Sequence, residues 1–183
     1  LAGETGATYA KNEQFLAGVL ASGMMVRRVN IRQLMPFEGT MAYTDNTLGK
    51  HTRSFRAFKE SVRKNFDIPM LKRVFPAGTI LRGIVIEEEG PISFGRQMGS
   101  YPILAGIPLH LCRRTVLDAV VVDQGMRSVT ALPLPVEVNL LPLVALKWIP
   151  GLKAKTAAKL AAARPLAGPG DFRAIAGTTP IDH

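Results

Sequence analysis

The stretch from Gly78 to Asn139 constrains the fold of this chain most, because it holds most of the β-branched runs and has helical patterns on both sides. Short apolar runs separated by glycine- and proline-containing turns are typical of strands in a small antiparallel sheet. The predicted strands cover residues 79–86, 100–107, 115–122 and 127–132. Pro102 favours an edge position for the second of these strands. Since an open edge needs protection, we expect the strands to close into a small β-barrel.

Two helical patterns precede the predicted barrel. Apolar residues at helical spacing predict a helix over 12–21, and alternating residues over 25–34 predict a strand directly after it. Residues 36–49 are rich in Gly, Thr, Asn and Asp, which predicts a loop. The most regular helix is predicted over 50–66, with Pro69 as its end.

The helix and strand at the N-terminus cannot form a sheet alone, so we expect the chain to be the C-terminal piece of a longer protein. The apolar residues of this unit are therefore expected to be disordered, repacked or used in self-association. These residues are Phe15, Leu16, Val19, Leu20, Val29 and Ile31.

The C-terminal segment predicts short helices separated by proline- and glycine-containing turns. The first two are predicted over 143–148 and 155–163, joined by a turn over 149–152. A third is predicted over 171–176, with Asp171 as its N-cap and with Phe172 and Ile175 directed back at the other two.

The formal net charge of +9 is distributed unevenly along the chain. Residues 50–75 carry eight basic and two acidic side chains, and residues 140–183 carry six and two. Residues 76–139 carry five basic and six acidic side chains, and residues 1–49 carry four of each. The excess positive charge thus lies in the helical flanks, where Arg53, Arg56 and Lys59 are the predicted polyanion-binding residues of the basic helix. A solvated helix face is the simpler alternative.

Other kinds of site find little support in the sequence. The single Cys112 excludes an internal disulfide, and three scattered histidines provide no metal-ligand spacing. We expect Cys112 to be a buried core thiol and Glu87 to Glu89 to be part of a solvated turn. We predict no catalytic and no metal-binding residue in this chain, and no membrane partner. The absence of a long apolar run and of a secretory signal pattern predicts a cytoplasmic protein.

The sequence IPGLKAKTAAKLAAARP near the C-terminus resembles a helix-hairpin-helix motif, in which a glycine turn and nearby lysines contact nucleic-acid phosphates. The resemblance implies phosphate contacts by Gly151, Lys153, Lys155 and Lys159. The family usually has a second glycine where this chain has Lys153, and a side chain in a turn that favours positive φ costs about 1 kcal/mol. Such motifs also serve as packing modules, so both roles stay open.

The central stretch, with GTILRGIVIEEEGPISFGRQMGSYPILAGIP followed by LDAVVVDQGMRSVTAL, resembles a TRAM domain, a small oligonucleotide-binding-type barrel found in RNA-modifying enzymes. The Gly95 and Arg96 pair, the strand from Tyr101 to Ile107 and the later Arg127 carry this resemblance. It implies RNA contacts by Arg96 and Arg127.

Upstream, VNIRQLMPFEGT resembles the last strand and following loop of a radical S-adenosylmethionine (SAM) barrel. The order of barrel end, basic helix, TRAM-like barrel and helix-hairpin-helix resembles the C-terminal part of archaeal-type radical SAM Fe–S oxidoreductases. The resemblance implies a parent enzyme with a [4Fe–4S] cluster and S-adenosylmethionine. Cys112 alone cannot supply the CxxxCxxC triplet of such enzymes, so the cofactors would belong to the parent and not to this chain. Arg32 and Gln33 are weak candidates for reaching the open end of the parent barrel.

The expected fold class is α+β, with a TRAM/OB-like antiparallel β-barrel flanked by helices. The expected segments are the end of a radical SAM barrel (1–49), a basic connecting helix (50–75), the TRAM-like barrel (76–139) and a helix-hairpin-helix module (140–183). The leading hypothesis is the substrate-recognition region of a radical SAM enzyme, with RNA, in particular tRNA, and the N-terminal radical SAM barrel as partners. The alternative is a structural or protein-interaction module of a radical SAM enzyme that acts on another kind of substrate. The sequence predicts no oligomeric state.

Overall fold

The computed structural model describes residues 4–27, 29–45 and 52–177, and the chain divides into two compact units, Leu1–Val74 and Phe75–His183. The described part of the first unit is helical. Its elements are α1 (Gly6–Ala21), α2 (Met41–Asp45), α3 (Thr52–Val62), a π-helical turn (Arg63–Asp67) and α4 (Ile68–Val74). Helix α1 begins six residues before its predicted start, because Thr5 and Thr8 form a capping box. Helix α2 lies within the predicted loop, of which residues 46–49 are outside the described part.

The predicted strand over 25–34 is wrong, since residues 25–27 and 29–34 form no strand. A strand needs a partner, and the described part of this unit offers no second strand. Side-chain acceptors hold the segment instead. The Val29 N–H donates to Asp67 Oδ1 at 3.0 Å, and the Val26 N–H donates to Met70 Sδ at 3.4 Å.

The N-terminal apolar residues are repacked around the aromatic residues of α3 and the π-helical turn. Val19 is buried with Tyr9, Phe58, Val62, Phe66 and Met70. Leu16, Leu20, Val29 and Ile31 are partly buried and pack against this cluster. Phe15 is the exception, because 70% of it is exposed. Of the three outcomes expected for these residues, repacking is confirmed for all but Phe15.

The predicted helix end at Pro69 is also wrong, because α4 continues to Val74. Inside a helix, proline lacks an N–H and its ring clashes with the carbonyl four residues earlier. Here the preceding turn has π geometry, in which the Ile68 N–H donates to the carbonyl of Arg63. We infer that this wider turn is what lets the helix pass through proline. The predicted first residues of α3, Lys50 and His51, lie outside the described part.

The second unit contains a closed five-stranded β-barrel, which confirms a mixed α+β fold with a small barrel. The strands are β1 (Ile80–Glu88), β2 (Ser93–Gln97), β3 (Leu104–Ile107), β4 (Val116–Gln124) and β5 (Ser128–Pro133). They are ordered β1-β2-β3-β5-β4, and β4 pairs with β1 to close the barrel. Strand β2 was not predicted.

The arrangement around β3 differs from the prediction in two ways. Strand β3 pairs with β2 on one side and β5 on the other, so it is not an edge strand. Its pairing with β5 is parallel, whereas the other four pairs are antiparallel as predicted. Pro102 is compatible with this position because β3 begins at Leu104, two residues later.

Three helices follow the barrel: α5 (Leu143–Leu146), α6 (Ala154–Ala162) and α7 (Pro169–Ala176). They share a core with Leu132 of β5, and its buried helical residues include Leu146, Leu160 and Phe172. Phe172 and Ile175 contribute to this core as predicted. The N-cap of α7 is Gly168 and not Asp171, because Pro169 starts the helix earlier. Among the described residues, no helix combines the length and apolar character that a membrane span requires.

Candidate nucleic-acid interface

Helix α3 separates its apolar and basic side chains. Phe58 and Val62 are buried on one side, whereas Arg53 and Arg56 are exposed and Lys59 is partly exposed. Residues three apart lie on neighbouring parts of a helix surface, so these three cations follow one another along α3. We call Arg53, Arg56 and Lys59 the basic face. Its position depends on the burial of the opposite, aromatic side of the helix.

No carboxylate within the described ranges forms an ion pair with the basic face. Glu60 is one turn after Arg56 on the same helix and does not pair with it. Arg63 follows in the π-helical turn, and its buried Nε has no hydrogen-bond acceptor in the described part of the chain. The charge of this helix is therefore not neutralised by neighbouring side chains, and it can attract a polyanion.

A cleft of about 350 Å³ lies beside α3 in the first unit. Tyr9 and Phe58 line it and stack on each other with ring centroids 4.9 Å apart. Burial raises the pKa of the Tyr9 phenol, and a hydrogen bond from its hydroxyl to Glu4 Oε2 at 3.1 Å raises it further. Arg32 and Gln33 also line the cleft. These two residues are the weak candidates named from the sequence for the open end of the parent barrel. The cleft itself was not predicted, since Tyr9 precedes the predicted start of its helix.

The two barrel arginines have different surroundings. Arg96 of β2 forms an ion pair with Glu87 of β1. Glu87 comes two residues after Val85, which is the register partner of Arg96. Arg127 is exposed in the turn between β4 and β5, where the Gly125 N–H donates to the Ser128 carbonyl at 2.8 Å. The charge of Arg96 is therefore already compensated, whereas Arg127 forms no ion pair with any residue that the structure describes.

The turn between α5 and α6 has the left-handed glycine that a tight helical hairpin requires. Gly151 has φ +81°, and a Cβ there would meet no atom within 4 Å. The expected strain at Lys153 is absent, because Lys153 has φ −82° and is the N-cap of α6. No side chain caps α6 at this position. The first N–H groups of α6 thus need an acceptor other than a capping side chain, and an anion is one such acceptor.

Helix α6 has one face in the core and another in solvent. Ala157 and Leu160 are buried with Leu146 and Leu132, whereas Lys155 and Lys159 are exposed. Packing on the barrel therefore leaves the lysines accessible, and the two roles considered for the hairpin are compatible.

The predicted binding residues fall into three sets. The basic face belongs to the first unit, and the barrel arginines and the hairpin residues belong to the second.

The prediction of a buried Cys112 is wrong, because Cys112 is exposed in the connection between β3 and β4. Within the described ranges, no group of three or more His, Cys, Asp or Glu side chains could hold a metal ion.

Relatives exist in two archaea. The chain is 40% identical over 179 residues, 97% of its length, to an uncharacterized protein of Archaeoglobus fulgidus. It is 45% identical over 139 residues, 71% of its length, to an uncharacterized protein of Methanocaldococcus jannaschii. The alignments cover only 33% and 25% of these relatives, so the chain spans a third or less of each. No family model and no solved structure matches the chain.

Proposed function

We propose that this chain is the RNA-binding, substrate-recognition region at the C-terminus of a radical SAM Fe–S enzyme, with tRNA as the expected substrate. The resemblance of the Pro36 to Thr40 segment to the end of a radical SAM barrel supports the parent class. The two relatives support a larger parent, because most of their length lies outside the matched region. A [4Fe–4S] cluster of this class needs three cysteines, and this chain has one. The cluster and S-adenosylmethionine are therefore assigned to the rest of the parent.

The observation that carries the RNA assignment is the basic face of α3. Its three cations have no ion-pair partner within the described ranges, and residues 50–75 hold six more basic than acidic side chains. Release of counterions from phosphates favours binding to such a surface, and this contribution is independent of sequence. RNA fits better than a small acidic ligand, because cations spaced along a helix match a row of phosphates.

Features of the barrel and of the hairpin also support the RNA assignment. Five strands closed in the order β1-β2-β3-β5-β4 are compatible with a TRAM/OB-like barrel, a class that often binds oligonucleotides. The left-handed Gly151 and the uncapped start of α6 are compatible with a helix-hairpin-helix that receives a phosphate. In this proposal the basic face provides most of the affinity, and Arg127 and the hairpin lysines add further phosphate contacts.

The alternative is a structural or protein-interaction module of a radical SAM enzyme whose substrate is not a nucleic acid. The observation that favours it is the core formed by Leu132 of the barrel with Leu146 and Leu160 of the hairpin. In this alternative the hairpin stabilises the barrel, and the basic face is solvated.

Substitution of Arg53, Arg56 and Lys59 together by alanine distinguishes the two functions. The probe is a fluorescein-labelled tRNA transcript, and anisotropy is measured at several salt concentrations. Each lost phosphate contact should reduce the slope of log K against log salt by about 0.7–0.9, so three contacts reduce it by about 2–3. The matched control replaces three other exposed cations, Lys11, Lys147 and Arg173, with the same change in net charge.

We expect the first variant to lose affinity and salt dependence, and the control to retain most of both. Circular dichroism verifies that both variants are folded. If the basic-face variant binds tRNA as tightly as the control and with the same slope, the basic face is a solvated surface and the RNA assignment loses its main support.

A further inference from the structure

Two connections of the barrel emerge at the same end. Leu104 at the start of β3 is the register partner of Ser128 at the start of β5, and these two strands are parallel. The connection that leads into β3 (98–103) and the turn that leads into β5 (125–127) therefore lie next to each other. We call these two segments together the loop end of the barrel.

The loop end exposes large apolar side chains. Met98 is 87% exposed, Tyr101 is 69% exposed and Met126 is 56% exposed. Ile103, in the same connection, is only 4% exposed, so the connection is anchored close to the barrel core. Neighbouring exposed apolar side chains of this kind mark binding surfaces.

The backbone holds Tyr101 in an unfavourable conformation. Its φ of +60° lies in the left-handed region, where the Cβ of a non-glycine residue is too close to the following carbonyl oxygen. Aromatic residues rarely adopt this conformation, and such residues concentrate at functional sites. At Tyr101 this strain coincides with an exposed aromatic ring.

Arg127 is the cation that the loop end can offer to a phosphate. Arg127 is exposed within the turn and forms no ion pair within the described ranges, whereas Arg82 on β1 is paired with Asp118 at 3.4 Å. The carboxylates on this side are Asp118 and Asp123, both in β4, and Asp118 is the one that pairs with Arg82. The three consecutive glutamates lie at the opposite end of β1, where Glu87 and Glu88 are its last residues and not part of the predicted turn, and Glu89 follows the strand.

We propose that the loop end binds an unpaired nucleotide of the RNA, whose base stacks on Tyr101 and whose phosphate contacts Arg127. Tyr101 and Arg127 belong to the two adjacent segments of the loop end. An aromatic ring and an arginine are the groups with which proteins hold unstacked bases, because every base offers a π face and a neighbouring phosphate. Met98 and Met126 provide polarisable apolar contacts at the edge of the base. This inference rests on the proposed RNA binding and adds that the substrate has an unpaired segment.

The test uses Tyr101→Asn and Tyr101→Phe. Asparagine tolerates the left-handed conformation, so Tyr101→Asn removes the ring with little backbone strain. Tyr101→Phe retains the stacking surface. The probes are a fluorescein-labelled uridine oligomer of about 12 nucleotides, within the length that one such barrel covers, and a blunt RNA duplex of the same length.

We expect Tyr101→Asn to weaken binding of the oligomer about 10-fold while duplex binding is unchanged, and Tyr101→Phe to bind both as wild type does. Arg127→Ala should weaken oligomer binding as well. Thermal melting of each variant verifies the fold.

The failure of this inference can be distinguished from the failure of the proposed function. If the basic-face variant loses binding to both probes but Tyr101→Asn binds the oligomer normally, RNA binding stands and the stacking site is refuted. The loop end is then a contact surface for protein. If wild type binds neither probe with a salt-dependent affinity, both the proposed function and this inference are overturned.

Discussion

Alanine at Gly95 is expected to destabilise the barrel, because β1 and β2 approach each other too closely there for a side chain. An added Cβ would lie 2.5 Å from the carbonyl oxygen of Val85 and 2.8 Å from Cγ2 of Ile84. The first of these atoms belongs to the backbone of a paired strand, and Ile84 is completely buried. The carbonyl oxygen cannot move without a shift of β1, and Cγ2 can move only if the buried Ile84 changes its side-chain conformation inside the core.

The magnitude follows from the nature of the clash. Insertion of a methyl group into a packed core costs about 1–3 kcal/mol, and a clash with backbone places this site near about 3 kcal/mol. For a unit of this size, each kcal/mol lowers the melting temperature by about 4 °C, which predicts a decrease of about 12 °C. The matched control is Gly170→Ala in α7, where an added Cβ meets no atom within 4 Å. Alanine is favoured over glycine in a helix by about 1 kcal/mol, so the control should not be destabilised.

Thermal melting followed by circular dichroism, with urea unfolding for the free energy, measures both variants. If Gly95→Ala melts within about 2 °C of wild type, β1 and β2 are further apart than described, and the reasoning is refuted. Below its melting temperature the variant should bind tRNA normally, because Gly95 contributes to packing and not to the charged surface. In that case Gly95, the first residue of the Gly95 and Arg96 pair in the TRAM-like pattern, is required for packing of the barrel and not for RNA contact.

Three further changes test other parts of the chain. Substitution of exposed Lys153 and Lys155 by glutamate should abolish low-salt RNA binding by the hairpin. The free energy of unfolding should change by no more than about 0.5 kcal/mol. If the RNA anisotropy is unaltered, the hairpin only packs on the barrel and does not bind RNA. The raised pKa of Tyr9 means that its contribution to stability is complete below the ordinary value of 10.0 and is lost as the pH rises through the folded-state value. Urea unfolding between about pH 9 and 11 should show this loss in wild type and less of it in Tyr9→Phe. Asp67→Ala should destabilise the first unit by about 1–3 kcal/mol in urea unfolding, because it leaves the Val29 N–H without its acceptor.

The barrel could be predicted largely from the sequence because four of its strands are continuous runs rich in apolar and β-branched residues. Strand β2 (SFGRQ) was missed because it is short and has glycine at its centre. The same glycine is what allows β2 to approach β1, so the residue that weakens the strand signal is required by the packing. The parallel pairing of β3 and β5 arises when the five strands close into a barrel, and the local sequence of either strand does not predict it.

The first unit shows why alternation alone did not predict its structure. The pattern over 25–34 is that of a strand, but a strand forms only with a partner. The N–H of Val29 is bonded to Asp67, 38 residues away in the chain, and this contact has no local sequence signal. The π-helical turn before Pro69 was also missed, because proline predicts the end of a helix and the preceding residues do not reveal a wider turn.

At the candidate site, the sequence likewise does not show which arginine is paired with a carboxylate or which aromatic ring is exposed. Arg96 and Arg127 are equivalent in the sequence, and only the register of β1 against β2 shows that Arg96 lies beside Glu87. Tyr101 was placed inside a strand, since it begins an apolar run. The strand in fact begins at Leu104, and the ring is left exposed outside it. Tyr101 thus departs from the strand pattern at a place where the fold leaves most of the residue exposed, and such departures are where binding residues are expected.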